Sequence, residues 1–340
     1  MAIRIQYNKD LTYDQWKLKR NESIGSSETG AICIGSPYKS ALEIFYDKVA
    51  GAKDTIENIR MWLGKKTEPL TGEMWEYYDD SADSVVKNHR AGTPIKKGEN
   101  RNITIFNSDY PGRSSTPDLH ILPWGVYEGK GEGYCELKNT QSYVLKSYND
   151  ELPPDNVFQL CDQLIQGDKA YGEIFYFVDN SYFIGYPMLR SSMKNIEQTI
   201  IQATGDLWKR IVKAKPLYNQ MYEAKRNYNF KLAAELDNEI QRLEPGPQNS
   251  AGYLRYLTER YKERTANVGL IKGTEEQLKL AKKHRELAKK IDSLEKNQRM
   301  LEIELKLILK ENNAIDFGSA GKVTYYPTAR GTRLFKNNIK

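Results

Sequence analysis

The sequence predicts an α/β (α+β) fold in which a mixed central sheet is flanked by helices and followed by a helical arm and a terminal β-hairpin. Helical and strand patterns alternate between residues 12 and 178, which is typical of helices packed on a mixed sheet. From about residue 191 to residue 312 the pattern is almost wholly helical. We therefore expect a core at 1–190, a helical arm at 191–312 that forms a hairpin or coiled coil, and a β-hairpin at 313–340 that packs back on the core.

The period of the apolar residues predicts the elements of the core. Helices come first, at residues 13–19, 27–34, 39–50 and 58–79. The next elements are a strand at 103–106, a hairpin of strands 119–123 and 134–138 joined by a Gly-rich turn at 126–133, a helix at 155–167, and strands at 174–178 and 182–186. Alternating segments at 321–326 and 332–336 predict the terminal hairpin.

A heptad seam runs along the end of the helical arm, after a break in the pattern at Pro245-Gly246-Pro247. A sustained seam needs a partner helix, so it predicts a helical hairpin or a short coiled coil. We call its members, spaced alternately by four and three, the seam residues: Leu280, His284, Leu287, Ile291, Leu294, Gln298, Leu301, Leu305 and Ile308.

The charge is distributed unevenly. The net charge is +6, with −5 on residues 1–200 and +11 on residues 201–340. A basic half favours binding to a polyanion such as DNA, but it is also what a solvated helical surface looks like. We define the arm lysines as Lys282, Lys283, Lys289 and Lys290. One hypothesis is that the arm lysines follow the backbone of a DNA duplex. The alternative is that the seam residues bind another copy of the chain or a partner protein. We favour the protein contact, because a heptad seam needs a partner helix.

Composition excludes several classes of protein. The 340 residues contain no run of eighteen apolar residues and no signal peptide, so we expect a soluble, intracellular chain without membrane contact. Three cysteines without a Cys-x-x-Cys pair argue against a disulfide framework and a zinc site. Because the three histidines are scattered, carboxylates are the candidate metal ligands, which points to Mg²⁺ or Mn²⁺.

The predicted hairpin carries the chemistry. It brings Asp118 beside Glu136, and strand alternation puts Glu136 and Lys138 on one face. Carboxylates that hold a hard cation, with a lysine near the attacking water, are what metal-dependent phosphodiester cleavage needs. The alternative is a strand edge with surface ion pairs, since Glu-x-Lys also occurs in a helical stretch at Glu304-Leu305-Lys306.

Several motifs follow one another over residues 12–180. They are Trp16-x-x-x-Arg20, Ser23-Ile24-Gly25-Ser26-Ser27-Glu28, Ser36-Pro37-Tyr38-Lys39-Ser40 with Lys48-Val49-Ala50-Gly51, Gly64-Lys65-Lys66-Thr67-Glu68-Pro69, Ser115-Thr116-Pro117-Asp118, Glu136-Leu137-Lys138, and Phe158-Gln159-Leu160-Cys161-Asp162-Gln163-Leu164. In this order they resemble the lambda-type phage exonucleases, the YqaJ-like viral recombinase family.

The resemblance implies a PD-(D/E)xK (restriction-endonuclease-like) fold and a Mg²⁺-dependent exonuclease, with Mn²⁺ as an alternative ion. Such an enzyme degrades linear double-stranded DNA from 5′ ends and leaves 3′ tails for phage or prophage recombination in the cytoplasm of a bacterial host. The implied partners are DNA ends, a single-strand annealing recombinase and further copies of the chain. The family's ring-shaped trimer is one candidate assembly, and the long helical arm leaves open whether that ring forms.

The family pattern also implies site roles. Asp118, Glu136, the Leu137 carbonyl and Glu68 would hold metal. Lys138 would contact the water or the scissile phosphate. Gln159 would help to hold the water or Lys138, and Gln163 lies four residues further along the same helical face.

A second group would bind a terminal 5′-phosphate. A helix that starts near Ser27 offers free N–H donors, and Arg20 lies nearby in the motif. Ser26 and Thr116 belong to the same group. The chain departs from the family pattern after Asp118, where Leu119-His120 follow. The side chain of His120 would point to the same side as Asp118. It would then lie near the metal, or it would be an ordinary strand histidine, which is the interpretation we favour.

Three functions compete at this level. The first is the exonuclease. The second is an endonuclease of the same fold, against which the lack of a separate specificity domain counts. The third is a noncatalytic DNA-binding or assembly protein, against which the intact Asp118, Glu136 and Lys138 set counts.

Overall fold

The structure is a computed structural model that describes residues 2–9, 11–51, 59–79, 81–148, 151–262, 272–327 and 333–339. By compactness the chain divides into two units, Met1–Thr265 and Ala266–Lys340. The first contains helices α1 (Tyr13–Arg20), α2 (Thr29–Cys33), α3 (Ala41–Ala50), α4 (Ile59–Tyr77), α5 (Ala82–Ala91), α6 (Ser142–Ser147), α7 (Pro154–Gln166), α8 (Lys194–Arg226), α9 (Phe230–Arg242) and α10 (Ala251–Tyr261). Its strands are β1 (Ile3–Tyr7), β2 (Ile24–Gly25), β3 (Gly98–Glu99), β4 (Ile103–Asn107), β5 (Arg113–Ser114), β6 (Leu119–Ile121), β7 (Gly133–Thr140), β8 (Tyr171–Val178) and β9 (Tyr182–Leu189).

A five-stranded mixed sheet organises the first unit. Its order is β3-β6-β7-β8-β9, with β7 and β8 parallel and the other neighbours antiparallel. Alternate residues of β8 face opposite sides: Ile174 packs with Leu160 of α7, and Phe175 packs with Trp75 of α4. The predicted mixed sheet with flanking helices is thereby confirmed.

The helices that follow the sheet are part of the first unit. Apolar residues of α8 and α9, such as Ile211 and Leu236, share one core with Ile24 and Phe45. A tight turn between α8 and α9 makes a helical hairpin. Compactness divides the chain between residues 265 and 266, because α8 packs on α2 and α3, and α9 packs on α8. The segments predicted from the sequence, 1–190, 191–312 and 313–340, stay a prediction.

Most predicted elements are present, with shifted ends. The helix expected at 27–34 begins as a 3₁₀ turn, Ser26–Glu28, and continues as the five-residue α2. Ser40 caps α3 by accepting from the Glu43 N–H. Residue 58 of the helix expected at 58–79 lies outside the described residues. The elements β1, β2, β3, β5, α5 and α6 were not predicted. Strands β2, β3 and β5 have two residues each, which is too few to show a period.

The second unit contains α11 (Glu275–Leu309) and the antiparallel strands β10 (Ala314–Asp316), β11 (Gly321–Pro327) and β12 (Arg333–Ile339). The terminal hairpin is confirmed, with β10 as an additional strand; residue 332 of the expected strand lies outside the described residues. The α11 helix is continuous, and most of its apolar seam residues are exposed, Leu294 by 66%. Its coiled-coil partner therefore stays a prediction, as does packing of the hairpin on the core. None of the described helices is long and apolar enough to cross a membrane.

Candidate active site

Strands β6 and β7 bring two carboxylates together. Leu119 pairs with Cys135 in antiparallel register, so Asp118 lies beside Glu136. The paired register ends at Leu119. Just before Leu119, the Asp118 carboxylate accepts a hydrogen bond from the Leu137 N–H at 2.8 Å. This hydrogen bond fixes the Asp118 side chain at the point where β6 begins to pair with β7.

Glu136 is buried and is surrounded by donors. Its Oε1 accepts from Lys138 Nζ at 2.5 Å and from Gln159 Nε2 at 2.5 Å. Gln163 Nε2 donates to Oε2 at 2.6 Å. Lys138 Nζ also donates to Gln159 Oε1 at 3.0 Å. One face of α7 therefore fixes both charged residues of β7, and Gln163 joins the predicted set; its i, i+4 spacing from Gln159 was the sequence signal.

The electrostatics match this crowding. Burial and then the charge of Glu136 raise the pKa of Asp118 well above its ordinary value. Burial opposes the charge of Lys138, but Glu136 and Asp118 more than offset it, so the pKa of Lys138 is raised and the ammonium stays protonated. Two adjacent carboxylates with one lysine form a site that is costly to keep without a further cation.

The donor set fits a hard divalent cation. Asp118 and Glu136 offer oxygen atoms side by side, and their mutual repulsion is what a bound cation would relieve. Glu68 is on α4, and its pKa is raised by burial and by the charge of Glu136. Among the described residues no three His, Cys, Asp or Glu side chains are grouped closely enough to hold one ion. The roles of Glu68 and the Leu137 carbonyl as ligands therefore stay proposals.

The residues expected to bind phosphate lie on α1, the 3₁₀ turn and the segment before Asp118. Arg20 is exposed, and its guanidinium donates to Ser27 Oγ at 3.3 Å. The Ser26 hydroxyl is buried and donates to the Ser114 carbonyl at 3.3 Å, so it supports the turn, whereas Ser27 is exposed. Because the helix that begins here is short, its dipole contributes less than sequence analysis expected.

Thr116 completes this group. Its hydroxyl is exposed and lies 3.1 Å from the hydroxyl of Thr104 on β4. Thr104 Oγ1 donates its proton to Asn8 Oδ1 at 3.0 Å, so Thr116 supplies the proton of the hydroxyl pair and keeps acceptor capacity only. A phosphate would therefore meet the Arg20 guanidinium and the Ser27 hydroxyl as donors, with Thr116 beside them.

A buried ion pair between Lys48 and Glu28 supports the candidate phosphate-binding residues. Both residues occur in the sequence motifs, but no role was predicted for them. Lys48 Nζ lies 2.9 Å from Glu28 Oε2 and donates to the Arg20 carbonyl at 2.9 Å. Glu28 Oε2 also accepts the Gly25 N–H at 3.0 Å. Burial opposes ionisation of Glu28, but Lys48 and Lys39 more than offset it and lower the pKa to about 2. The pair ties the end of α1 to the 3₁₀ turn.

One cavity of about 350 Å³ joins the two groups of residues; we call it cavity A. The lining of cavity A includes the metal-site candidates Glu68 and Asp118 with Gln159 and Gln163, and also the phosphate-site candidates Arg20, Ser26, Ser27 and Thr116. Trp16, on α1, also lines it, with the Arg20 guanidinium 5.2 Å from its ring centre. The sequence motifs therefore converge on a single space.

His120 is a strand histidine away from this cavity. It is buried, its Nδ1 lies 3.4 Å from Arg101, and its ring meets the Tyr134 ring edge-on. Burial and the charge of Arg101 lower its pKa to about 4, so the ring is neutral. This agrees with the reading favoured from the sequence.

The mixed sheet thus presents adjacent carboxylates and a lysine beside a cavity that an arginine and several hydroxyl groups line, an arrangement that suits phosphodiester chemistry. Residues 15–168 match the model of the YqaJ-like viral recombinase domain. This part of the chain is thus similar to the YqaJ-like viral recombinase domain, as the motifs indicated.

Comparison with solved structures gave three partial matches. LHK-Exo in complex with dAMP is 14% identical, with a TM-score of 0.42, over 64% of this chain and 99% of that chain. An alkaline exonuclease (LHK-Exo) from Laribacter hongkongensis is 14% identical, with a TM-score of 0.43, over 61% and 98%. SSO0001 is 13% identical, with a TM-score of 0.28, over 56% and 87%. At these low values the fold assignment rests on the sheet topology of the chain itself.

Proposed function

We propose that this protein is a Mg²⁺-dependent exonuclease, with Mn²⁺ as an alternative ion, that degrades one strand of linear double-stranded DNA from 5′ to 3′. The observation that supports the proposal most is cavity A, whose lining includes Asp118 and Gln159 as well as Arg20 and Ser27. Gln159 in turn holds Glu136 and Lys138 by hydrogen bonds. A strand whose terminal phosphate contacts Arg20 would bring its next phosphodiester toward Asp118. Strand ends would therefore be the substrate.

Each residue has a defined task in this proposal. Asp118 and Glu136 would hold the ion, which when bound supplies Lewis-acid stabilisation of the charge on the phosphate. Lys138 stays protonated, so it would donate to a phosphate oxygen or orient the water rather than remove its proton. Gln159 and Gln163 hold Glu136 and Lys138 in position, which lowers the reorganisation needed during reaction. Arg20 and Ser27 would hold the terminal phosphate.

The biological setting is part of the proposal. The match of residues 15–168 to a viral recombinase domain supports a role in making 3′ single-stranded tails for phage or prophage recombination in the bacterial cytoplasm. We propose a single-strand annealing recombinase as the protein partner, and self-association through the seam residues of α11. An endonuclease of the same fold and a noncatalytic assembly protein remain the alternatives.

A single assay separates these functions. The protein is incubated with Mg²⁺ on linear duplex DNA with 5′-phosphates, on the same DNA with 5′-hydroxyls, and on a closed circle. We expect degradation of linear DNA, faster with 5′-phosphates, and none of the circle. Cleavage of the circle would favour the endonuclease, and binding without cleavage would favour the assembly protein.

A further inference from the structure

A second cavity lies beside β7, the strand that carries Glu136 and Lys138. It has a volume of about 720 Å³, and we call it cavity B. Glu68 lines both cavities, whereas Leu137 and Lys138 line cavity B and Asp118 lines cavity A. A phosphate held between Asp118 and Lys138 would therefore border both cavities.

The lining of cavity B suits a base and a sugar. Apart from Glu68, Lys138 and Asp179, its described lining residues are neutral, and Lys138 is the one cation among them. Asn139 donates to Thr67 Oγ1 at 3.0 Å, which leaves an amide oxygen for a ligand. A surface that tracks a duplex backbone would need more lysine and arginine. Tyr38 and Tyr143 line the cavity and are 75% and 58% exposed, so their rings are open for stacking.

Gly64 lies in the wall of cavity B. It is inside α4, where glycine costs about 1 kcal/mol relative to alanine. Its backbone is not in the left-handed region, and apart from the helix's own backbone no heavy atom of the described residues lies within 4 Å of a built Cβ. A larger side chain at this position would therefore extend into open space without meeting the described protein.

We propose that cavity B binds the first retained nucleotide, which is the one on the 3′ side of the scissile phosphate. This inference rests on the proposed function. Its base stacks on Tyr143, which lies on α6, shortly after the strand that carries Glu136 and Lys138. Gly64 leaves room for its sugar.

The first test fills cavity B. Gly64→Leu should lower the single-turnover rate of nucleotide removal at least tenfold, because the new side chain occupies the subsite. Gly205→Leu is the matched control, since Gly205 lies inside α8 with equally open space around a built Cβ and does not line either cavity. Its rate should equal that of the wild type.

Melting temperatures separate blocking from misfolding. Both leucine variants should melt at or above the wild-type temperature, because leucine is a better helix former than glycine. If Gly64→Leu melts lower, Gly64→Ala takes its place, with a smaller rate loss of the same sign expected. A folded Gly64 variant that removes nucleotides at the wild-type rate would overturn the proposal.

The second test pairs a protein change with a substrate change. An abasic site at the second nucleotide from the 5′ end should slow the wild type about 5- to 100-fold, the range expected when one base–aromatic stack is lost. Tyr143→Ala should slow the normal substrate similarly, with no further loss on the abasic one. Tyr222→Ala, an exposed tyrosine of α8, is the control and should behave as wild type.

The outcomes distinguish a failure of the nucleotide subsite in cavity B from a failure of the proposed exonuclease function. If the rate losses from Tyr143→Ala and from the abasic site multiply when the two are combined, the subsite is overturned. Losses that multiply are independent, and they would show that the Tyr143 ring does not contact this base. A wild-type protein without activity on linear DNA would overturn the proposed function and the subsite together. An active wild type with an unaffected, folded Gly64 variant would overturn the subsite alone.

Discussion

Replacement of Glu28 by glutamine tests how the fold supports the candidate phosphate pocket. Glu28 Oε2 lies 2.9 Å from Lys48 Nζ, and Glu28 Oε1 lies 3.1 Å from Lys39 Nζ. Lys48 in turn donates to the Arg20 carbonyl. Glu28→Gln keeps the shape and the Gly25 contact but removes the charge, so Lys48 is left buried without a counter-ion.

The pKa of Glu28 gives the magnitude of the effect. Its fall from 4.5 to about 2 corresponds to about 3 kcal/mol of folding stability at neutral pH, at about 1.4 kcal/mol per unit. Burial lowers the pKa of Lys48, which offsets part of this gain. We therefore expect Glu28→Gln to lower the free energy of unfolding by about 2–3 kcal/mol at pH 7.

The sign with pH follows from the direction of the shift. Because the folded pKa lies below the unfolded one, the contribution of Glu28 is complete above about pH 4.5 and is lost as the pH falls to about 2. The difference between wild type and variant should therefore shrink over that window. The loosened turn should also weaken the preference for 5′-phosphorylated ends.

Urea unfolding at several pH values measures the stability, and Glu132→Gln provides the control. The pKa of Glu132 is lowered to about 2 by its hydrogen bond to Arg101, but its side chain is 32% exposed. Solvent screening limits an exposed pair to about 0–1 kcal/mol. Equal losses for Glu28→Gln and Glu132→Gln, or a Glu28→Gln loss that does not change between pH 7 and pH 3, would refute the reasoning.

Three further predictions concern the chemistry, the DNA end and the arm. Asp118→Ala and Lys138→Ala should each abolish cleavage while the circular dichroism spectrum stays native, and Asp118→Ala should melt slightly higher without metal, because it relieves the repulsion with Glu136; digestion at the wild-type rate would contradict the catalytic assignment. Arg20→Ala should slow degradation and remove the preference for 5′-phosphorylated ends, while part of the single-turnover rate survives, since positioning and not chemistry is lost; equal effects on phosphorylated and hydroxyl ends would count against a terminal pocket. Polar substitutions at Leu287, Ile291, Leu294 and Leu301 should change the sedimentation mass or the capture of a partner protein. Charge reversal of the arm lysines should leave the salt dependence of DNA binding unchanged. An unchanged mass, together with a plot of log binding constant against log salt that is flatter by about 0.9 per lost contact, would favour DNA tracking instead.

Local signals in the sequence determined much of this protein. The strand alternation around Glu136 and Lys138, with Asp118 at the start of the preceding strand, was sufficient to predict their convergence. The four-residue spacing of Gln159 and Gln163 likewise anticipated that one face of α7 serves both. Periodicity suffices in such cases because neighbours on one helix or hairpin are fixed by backbone geometry.

The tertiary structure alone decided what depends on distant contacts. Glu28 and Lys48 occur in separate motifs, and their pairing appears when α3 packs beside the 3₁₀ turn. The helices that cover the sheet also decide which residues line each cavity. Arg20 and Asp118 line cavity A together, and Gly64 and Tyr143 line cavity B together. Helices α8 and α9 read as a separate arm in the sequence, because an amphipathic stripe does not specify the surface on which it is buried.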